Sequence, residues 1–288
     1  MKIKFWGTRG SIPVPGEETL RYGGNTPCIE VIAAGSPGLI LDAGTGIRGL
    51  GDCLEAGPKV EELHLLISHT HWDHIQGIPF FAPLYRPDFR LMIYVNNLQG
   101  LMPRQIIDRQ MDSFFFPVDA SVLKAEIDFR ECVENSVFFV GDLKVETIGT
   151  NHSKGTLAFK ISDRGRSLVY MTDNEILFEG EGEAMKSSIS SLNSRLVEFC
   201  RGCDYLIHDS MYSSEGFESK KGWGHSNNIT LAFFSICAQV KNLILFHFDP
   251  QMNDKMIEMM EKQTKEIFII NNSGVNCRAA FEGLEIDI

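Results

Sequence analysis

Short apolar runs that stop abruptly at histidine or aspartate recur along this chain. Leu39-Ile40-Leu41 gives way to Asp42-Ala43-Gly44, and Leu63-His64-Leu65-Leu66-Ile67 to Ser68-His69. Val145-Glu146-Thr147-Ile148 leads to Asn151-His152, and Leu168-Val169-Tyr170-Met171 to Thr172-Asp173. Tyr205-Leu206-Ile207 ends at His208-Asp209, and Leu243-Ile244-Leu245-Phe246 at His247. Runs of this length, often β-branched, predict buried strands. Polar residues just past strand ends sit on loops held by a rigid scaffold, where sites are usually built. One such ending carries little weight; six suggest strand ends converging on one polar centre. Helical patterns lie between the runs, at 75–84, 101–111, 187–200, 228–239 and 253–265. Strands and helices that interleave in this way predict a layered α/β architecture. No repeat, low-complexity tract or long linker interrupts residues 1–288, so a single domain is expected.

Composition narrows the class of protein. The 288 residues are 43% hydrophobic and 23% charged, ordinary for a globular chain, and their number allows a large core without disulfides. A net charge of −11 gives no general attraction to nucleic acid or to anionic membranes, so neither is expected as a partner. No apolar stretch approaches the ~20 residues that span a bilayer. The first residues enter a strand-like run without a signal-peptide pattern, and a cytoplasmic location is expected. Seven irregularly spaced cysteines fit reduced, mostly buried thiols. Cys200-x-x-Cys203 lacks the second pair that a structural zinc site requires.

The strongest chemical signal is His69-x-His71-x-Asp73-His74, four candidate ligands within six residues directly after an apolar run. Imidazole with carboxylate suits zinc, manganese or iron. On an extended loop His69 and His71 point to the same side, and Asp73 and His74 can turn toward a second ion. Two ions ~3.5–4 Å apart can clamp the attacking and leaving oxygens of a phosphoryl or acyl reaction. More ligands are needed, and the strand endings offer His152, Asp173 and His247.

With these residues in order, the sequence resembles the metallo-β-lactamase superfamily, whose signature is His-x-His-x-Asp-His after a buried strand. It is similar in particular to the branch containing tRNase Z and the phosphoribosyl cyclic phosphodiesterase. The likeness begins at Phe5-Trp6-Gly7-Thr8-Arg9-Gly10-Ser11 and Gly23-Gly24-Asn25-Thr26, and continues through Leu41-Asp42-Ala43-Gly44-Thr45-Gly46 and the histidine cluster. It extends through His152-Ser153, Thr172-Asp173, His208-Asp209-Ser210, Gly224-His225-Ser226 and Phe246-His247-Phe248. The resemblance implies a four-layer αββα sandwich with the site at one edge of two sheets. It implies one metal on His69, His71 and His152, a second on Asp73, His74 and His247, and Asp173 bridging both. The cofactors would be two divalent ions, Zn2+ or Mn2+, with iron less favoured. A metal lowers the pKa of bound water to about 7, which would give a hydroxide nucleophile at neutral pH.

The superfamily acts on lactams, lactones, thioesters and phosphodiesters, so fold alone does not choose among them. In the tRNase Z-like branch an acid and a histidine pair to assist proton transfer, and the matching residues here are Asp209 and His225. With Asp73 they are the catalytic candidates. The chain departs from tRNase Z in Asp209-Ser210-Met211 and His225-Ser226-Asn227, and no long basic arm is evident. These features favour a small or cyclic, nucleotide-like phosphodiester over nucleic acid. The alternatives are a lactonase or thioesterase, a tRNase Z-like endonuclease and a non-hydrolytic di-iron protein. Members of the last kind tend to carry a carboxylate at the position of His71.

Weaker features complete the reading. Gly44-x-Gly46-x-x-Gly49 matches a dinucleotide-binding pattern but is expected to be a turn beneath the metal site. A lid or insert is considered around 98–135, with the aromatic 111–117 stretch as lid, core or homodimer contact. His64 is expected in the core, while His208 has no assigned place. Thr8, Arg9, Asn25 and Thr26 are read as pocket or turn residues alike.

Overall fold

In a computed structural model, which describes residues 1–96 and 103–288, the described chain forms two seven-stranded sheets. The first holds β1 (Lys2–Gly7), β2 (Cys28–Ile32), β3 (Gly38–Leu41), β4 (Glu62–Leu66), β5 (Arg90–Val95) and β6 (Glu126–Glu131), with the last strand, β14 (Glu285–Asp287), on its edge beside β1. The second holds β7 (Val137–Val140), β8 (Leu143–Gly149), β9 (Leu157–Asp163), β10 (Arg166–Met171), β11 (Tyr205–Asp209), β12 (Asn242–Phe246) and β13 (Asn276–Ala279) in sequence order.

The sheets pack face to face over one core. Phe5, Val31, Leu39, Leu41 and Leu66 meet Val145, Phe159, Tyr170, Ile207 and Phe246 there. Helices cover both outer faces. On the first sheet lie α1 (Gly46–Ala56), α2 (Trp72–Ile75) and α3 (Gln105–Gln110), over Ile40, Leu63 and Leu65. On the second lie α4 (Gly182–Leu192), α5 (Ser194–Cys200), α6 (Asn228–Cys237) and α7 (Asp254–Ile270), over Leu206, Leu243 and Leu245. Successive residues of a strand face opposite sides, so a strand covered on both sides must be apolar throughout. That is why the runs in β3, β11 and β12 are unbroken; in β4 the run is interrupted by His64, whose ring nitrogens are partnered by Tyr94 and Glu62. The expected αββα sandwich is observed.

Helix boundaries moved where local chemistry differs from simple periodicity. The 75–84 pattern begins where the short α2 ends and continues as 3-10 turns at Ile78–Phe80 and Ala82–Tyr85; Pro79 and Pro83 stand in the first positions of these turns and lack the amide donors that would carry an α-helix through them. The 187–200 pattern splits into α4 and α5 around Asn193. Part of the 101–111 pattern lies outside the described residues. α6 and α7 begin as read, each capped by an asparagine: Asn227 accepts from the amides of Ile229 and Thr230, and Asn253 from that of Met256. α1 went unread because glycines obscure its start. Its glycines serve close packing: a Cβ on Gly44 would lie 2.3 Å from the Asp73 carbonyl oxygen, and one on Gly46 2.5 Å from that of Trp6. Of the 44–49 stretch, Gly44 and Thr45 form the turn beneath the histidine segment and Gly46 opens α1, with the Ala43 amide donating to the His74 carbonyl at 2.7 Å.

Candidate active site

The strand order explains the convergence of the polar endings. β10, β11 and β12 run parallel, as do β3 and β4, so their C-terminal ends share one edge of the sandwich. The β10 end carries Asp173, the β11 end Asp209, the β12 end His247, the β3 end Asp42, and the β4 end leads to His69. β8 is antiparallel to β9, which is antiparallel to β10, so the β8 end brings His152 to the same edge. Asp42, Asp173 and His247 have φ of +58°, +34° and +59°. Such left-handed conformations are uncommon for non-glycine residues and mark turns that the surroundings over-determine.

All seven ligand candidates meet there. His69, His71, His152 and Asp173 form one group whose ligand atoms lie within 4.8 Å of one another; Asp73, His74 and His247 form another. The two carboxylate oxygens of Asp173 face different groups. Oδ2 lies 3.4 Å from Nε2 of both His69 and His152, while Oδ1 lies 3.3 Å from His74 Nε2 and 3.1 Å from His247 Nε2. His247 Nε2 also lies 3.1 Å from Asp73 Oδ2.

These residues fit divalent cations. His152 Nε2 and His71 Nδ1 face each other at 3.2 Å, and His247 Nε2 and His74 Nε2 at 3.3 Å. His69 Nε2 is buried without a hydrogen-bond partner. Burial holds the pKa values of His69, His71 and His152 below the usual range, which keeps them in the neutral, ligating form. Burial also opposes a charge on His74, yet Asp73, Asp173 and Asp42 outweigh it and push its pKa well up. Three buried carboxylates around one imidazole call for positive charge, which a cation supplies as well as a proton does.

The rings are held from behind. His74 Nδ1 pairs with Asp42 Oδ2 at 2.8 Å, and the same carboxylate accepts from the Ser68 amide, the Ser68 hydroxyl and the Tyr170 hydroxyl at 2.7–2.8 Å. His69 Nδ1 meets Ser68 Oγ at 3.1 Å, and His152 Nδ1 donates to the Gly224 carbonyl at 2.9 Å. Outer partners of this kind fix ring orientation and tautomer. Asp42, Ser68 and Tyr170 had no sequence signal of their own beyond adjacency to a strand end.

Asp209 and His225 are brought together. His225 Nδ1 lies 2.7 Å from the fully buried Asp209 Oδ2, and Asp209 Oδ1 accepts from the Met211 amide at 2.8 Å. The His225 ring stacks on His247 at 5.3 Å and lies 4.9 Å from His152. Burial disfavours its charge, but Asp209 outweighs burial and lifts its pKa to about 9. His225 also falls within ligand distance of Asp173 and His247, so a third metal-ligand role is geometrically open to it.

Other candidates turn out to be structural. Thr8 Oγ1 donates to the Tyr22 carbonyl, and Arg9, fully buried, to the carbonyls of Gly23 and Met252. Asn25 is bound to Glu282, and Thr26 and Thr45 exchange hydroxyl–amide bonds. His64 is buried between Tyr94 and Glu62. His208 is buried, with Nδ1 on the Asp209 carbonyl and Nε2 on Asn174. The cysteines are free thiols. No described helix is long and apolar enough to cross a membrane.

Comparison with known proteins adds identity to geometry. The family model described as "Beta-lactamase superfamily domain" matches residues 39–248. A protein of Picrophilus torridus named ribonuclease Z is 24% identical, covering 93% of this chain and 91% of the relative. Among solved structures, the metallo-beta-lactamase fold protein YhfI from Bacillus subtilis aligns with a TM-score of 0.71 at 18% identity, covering 99% of this chain and 98% of that one. The short form of human tRNase Z aligns with a TM-score of 0.64 at 18% identity, covering 100% and 99%. These relatives overturn the expectation that nucleic acid is not a partner. The physical error lies in the whole-chain charge. A sum of −11 describes the surface as a whole, whereas a phosphate is met by the local field of one cleft, where a divalent metal held by the His/Asp groups would add positive charge.

Proposed function

The chain belongs to the beta-lactamase superfamily, and on that premise we propose that it is a dinuclear metal-dependent phosphodiesterase. His69, His71 and His152 would hold one ion, Asp73, His74 and His247 the other, with Asp173 shared between them. Two divalent ions, Zn2+ or Mn2+, would supply Lewis acidity to the phosphoryl oxygens and an activated water near neutral pH.

The observation that carries the choice of a diester is the Asp209–His225 pair. An alkoxide leaves a phosphodiester poorly unless it is protonated, and a positioned acid contributes about 10²–10⁴-fold. Asp209 accepts the hydrogen bond of His225 Nδ1–H and orients the ring, so that the Nε2 proton faces the ligand cluster. A thioester expels a thiolate, which departs readily without such an acid; lactones and lactams are separated from the diester by the panel below.

Beside the histidine segment, Thr70, Trp72, Phe80, Arg109, Phe115 and Phe116 line a cavity of about 510 Å³, within the range of about 300–1,000 Å³ usual for small-molecule sites. This aromatic wall would take the base or aryl group of the diester, with Phe115 and Phe116 of the 111–117 stretch forming part of it. Of the 98–135 segment weighed as a lid or insert, 98–102 lies outside the described residues, while Gln105–Gln110 forms α3 and Glu126–Glu131 forms β6 at the edge of the first sheet. The names of the relatives put ribonucleic acid beside small diesters as substrates to test.

The experiment is a hydrolysis panel with zinc- and manganese-loaded enzyme. An activated aryl phosphodiester should turn over far faster than a β-lactam, an aryl acetate or a homoserine lactone, with an RNA substrate run in parallel. Lactone turnover above diester turnover would overturn the assignment.

A further inference from the structure

We propose that Glu175 is a positioning residue that locks the glycine loop at 222–224, and through it the rings of His152 and His225. The inference rests on the reading above for what those two rings do; the clamp itself stands on separate observations.

Glu175 follows Asp173 by two residues and is buried, although glutamate rarely is without partners. It is tied at both ends. Its backbone amide donates to the Asn151 carbonyl at 3.0 Å, and the Asn151 side-chain amide donates back to the Glu175 carbonyl at 3.0 Å. Asn151 immediately precedes His152. The Glu175 carboxylate accepts from the Gly222 amide, at 2.9 Å to each oxygen, and from the Gly224 amide at 2.9 Å. Gly222 and Gly224 have φ of +82° and +83°, and their left-handed turns aim both amides at one acceptor. A concave set of backbone amides of this kind is an anion cradle, here filled by the protein's own carboxylate.

What the clamp holds is functional. The Gly224 carbonyl accepts a hydrogen bond from His152 Nδ1–H at 2.9 Å, which leaves Nε2 of that ring as the lone-pair atom facing Asp173. A Cβ on Gly224 would lie 2.3 Å from His152 Nδ1, so the loop and the ring are in direct contact. The next residue along the loop is His225, whose ring must reach Asp209 at 2.7 Å. One carboxylate therefore sets the tautomer of one ring and the approach of the other. Without it, the buried Gly224 amide and the more exposed Gly222 amide both lose a charged acceptor, and the loop must rearrange to satisfy the buried one. Glu175 touches neither ring, so it acts only through the loop.

The test compares Glu175→Ala with Glu175→Gln, which keeps one acceptor oxygen. In the metal-free protein, ring 15N NMR should show His152 passing from a single Nδ1–H tautomer to a mixture in the alanine variant, with a smaller change in the glutamine variant. Metal affinity should fall by about 10–100-fold in Glu175→Ala, the usual effect of removing an outer-shell support. The drop in kcat should be larger for an alkyl phosphodiester than for a p-nitrophenyl one, and Glu175→Gln should recover part of it. Unchanged ring signals and metal affinity in a folded alanine variant would overturn the proposal. Should Glu175→Ala fail to fold, Glu175→Gln is decisive: it must shift the Gly222 and Gly224 amide signals together with the His152 ring, and a shift of the amides alone overturns it. Altered ring signals without any leaving-group dependence would leave the clamp standing and count against His225 as the acid.

Discussion

Replacing His225 with alanine tests the proposed chemistry most directly, and the structure sets the size of the effect. With its pKa lifted to about 9, His225 would be about 99% protonated at pH 7 in the metal-free protein, against roughly a quarter at an ordinary histidine value. It is thus supplied almost entirely in the acid form. Bound cations beside the ring lower that value, so in the metal-loaded enzyme the alkaline fall in rate should come below pH 9. Loss of a positioned acid should cost about 10²–10⁴-fold in kcat, or about 3–5 kcal/mol, on an alkyl phosphodiester. The loss should shrink toward nothing with p-nitrophenolate, which departs without a proton. Asp209→Asn should give a smaller defect and move the alkaline limb to lower pH, because the carboxylate that raises the His225 pKa is gone. The double variant should be no worse than His225→Ala, since the pair acts as one unit. The assay is kcat against pH for a series of leaving groups, with metal content measured alongside. If His225→Ala loses metal, or slows good and poor leaving groups alike, His225 is a ligand or a binding residue and the acid role is refuted.

Other expectations follow from the same geometry. Asp173→Ala should reduce metal content from about two ions per chain to less than one by elemental analysis, because its two oxygens face both groups; retention of one tightly held ion would argue against sharing. Tyr170→Phe removes a 2.7 Å bond to the buried Asp42 carboxylate and should cost about 1–3 kcal/mol in urea unfolding of the metal-free protein; unchanged stability would mean that the remaining donors suffice. A raised folded-state pKa adds stability that is fully present below the unfolded value, about 6.5, and is lost as pH rises through the folded value. The stability advantage of metal-free wild type over His225→Ala should therefore be greatest below pH 6.5 and fade by about pH 9; an advantage that grows with pH would contradict the Asp209 pairing.

The hydrophobic pattern by itself determined a layered α/β architecture, the resemblance to the superfamily implied the αββα sandwich, and the His69–His74 segment marked the heart of the site. Strands buried on both faces must be apolar wherever no partner is offered, so β3, β11 and β12 could be read as unbroken runs and β4 as a run broken only at His64. Four ligands in six residues, from His69 to His74, need no long-range contact to be recognised. His152, Asp173 and His247 could be proposed because each closes an apolar run, but only the parallel order of β10, β11 and β12 puts their ends on one edge. Tertiary structure alone decided that the two Asp173 oxygens face different groups, and that Asp42, Asp173 and His247 adopt left-handed backbone there. It alone distinguished Glu175 among 38 acidic residues, because its partners are backbone amides some fifty residues away, and every residue but proline has such an amide. The reading of charge failed for a related reason. Composition sums over the whole surface, whereas recognition of a phosphate depends on where a few charges stand after folding.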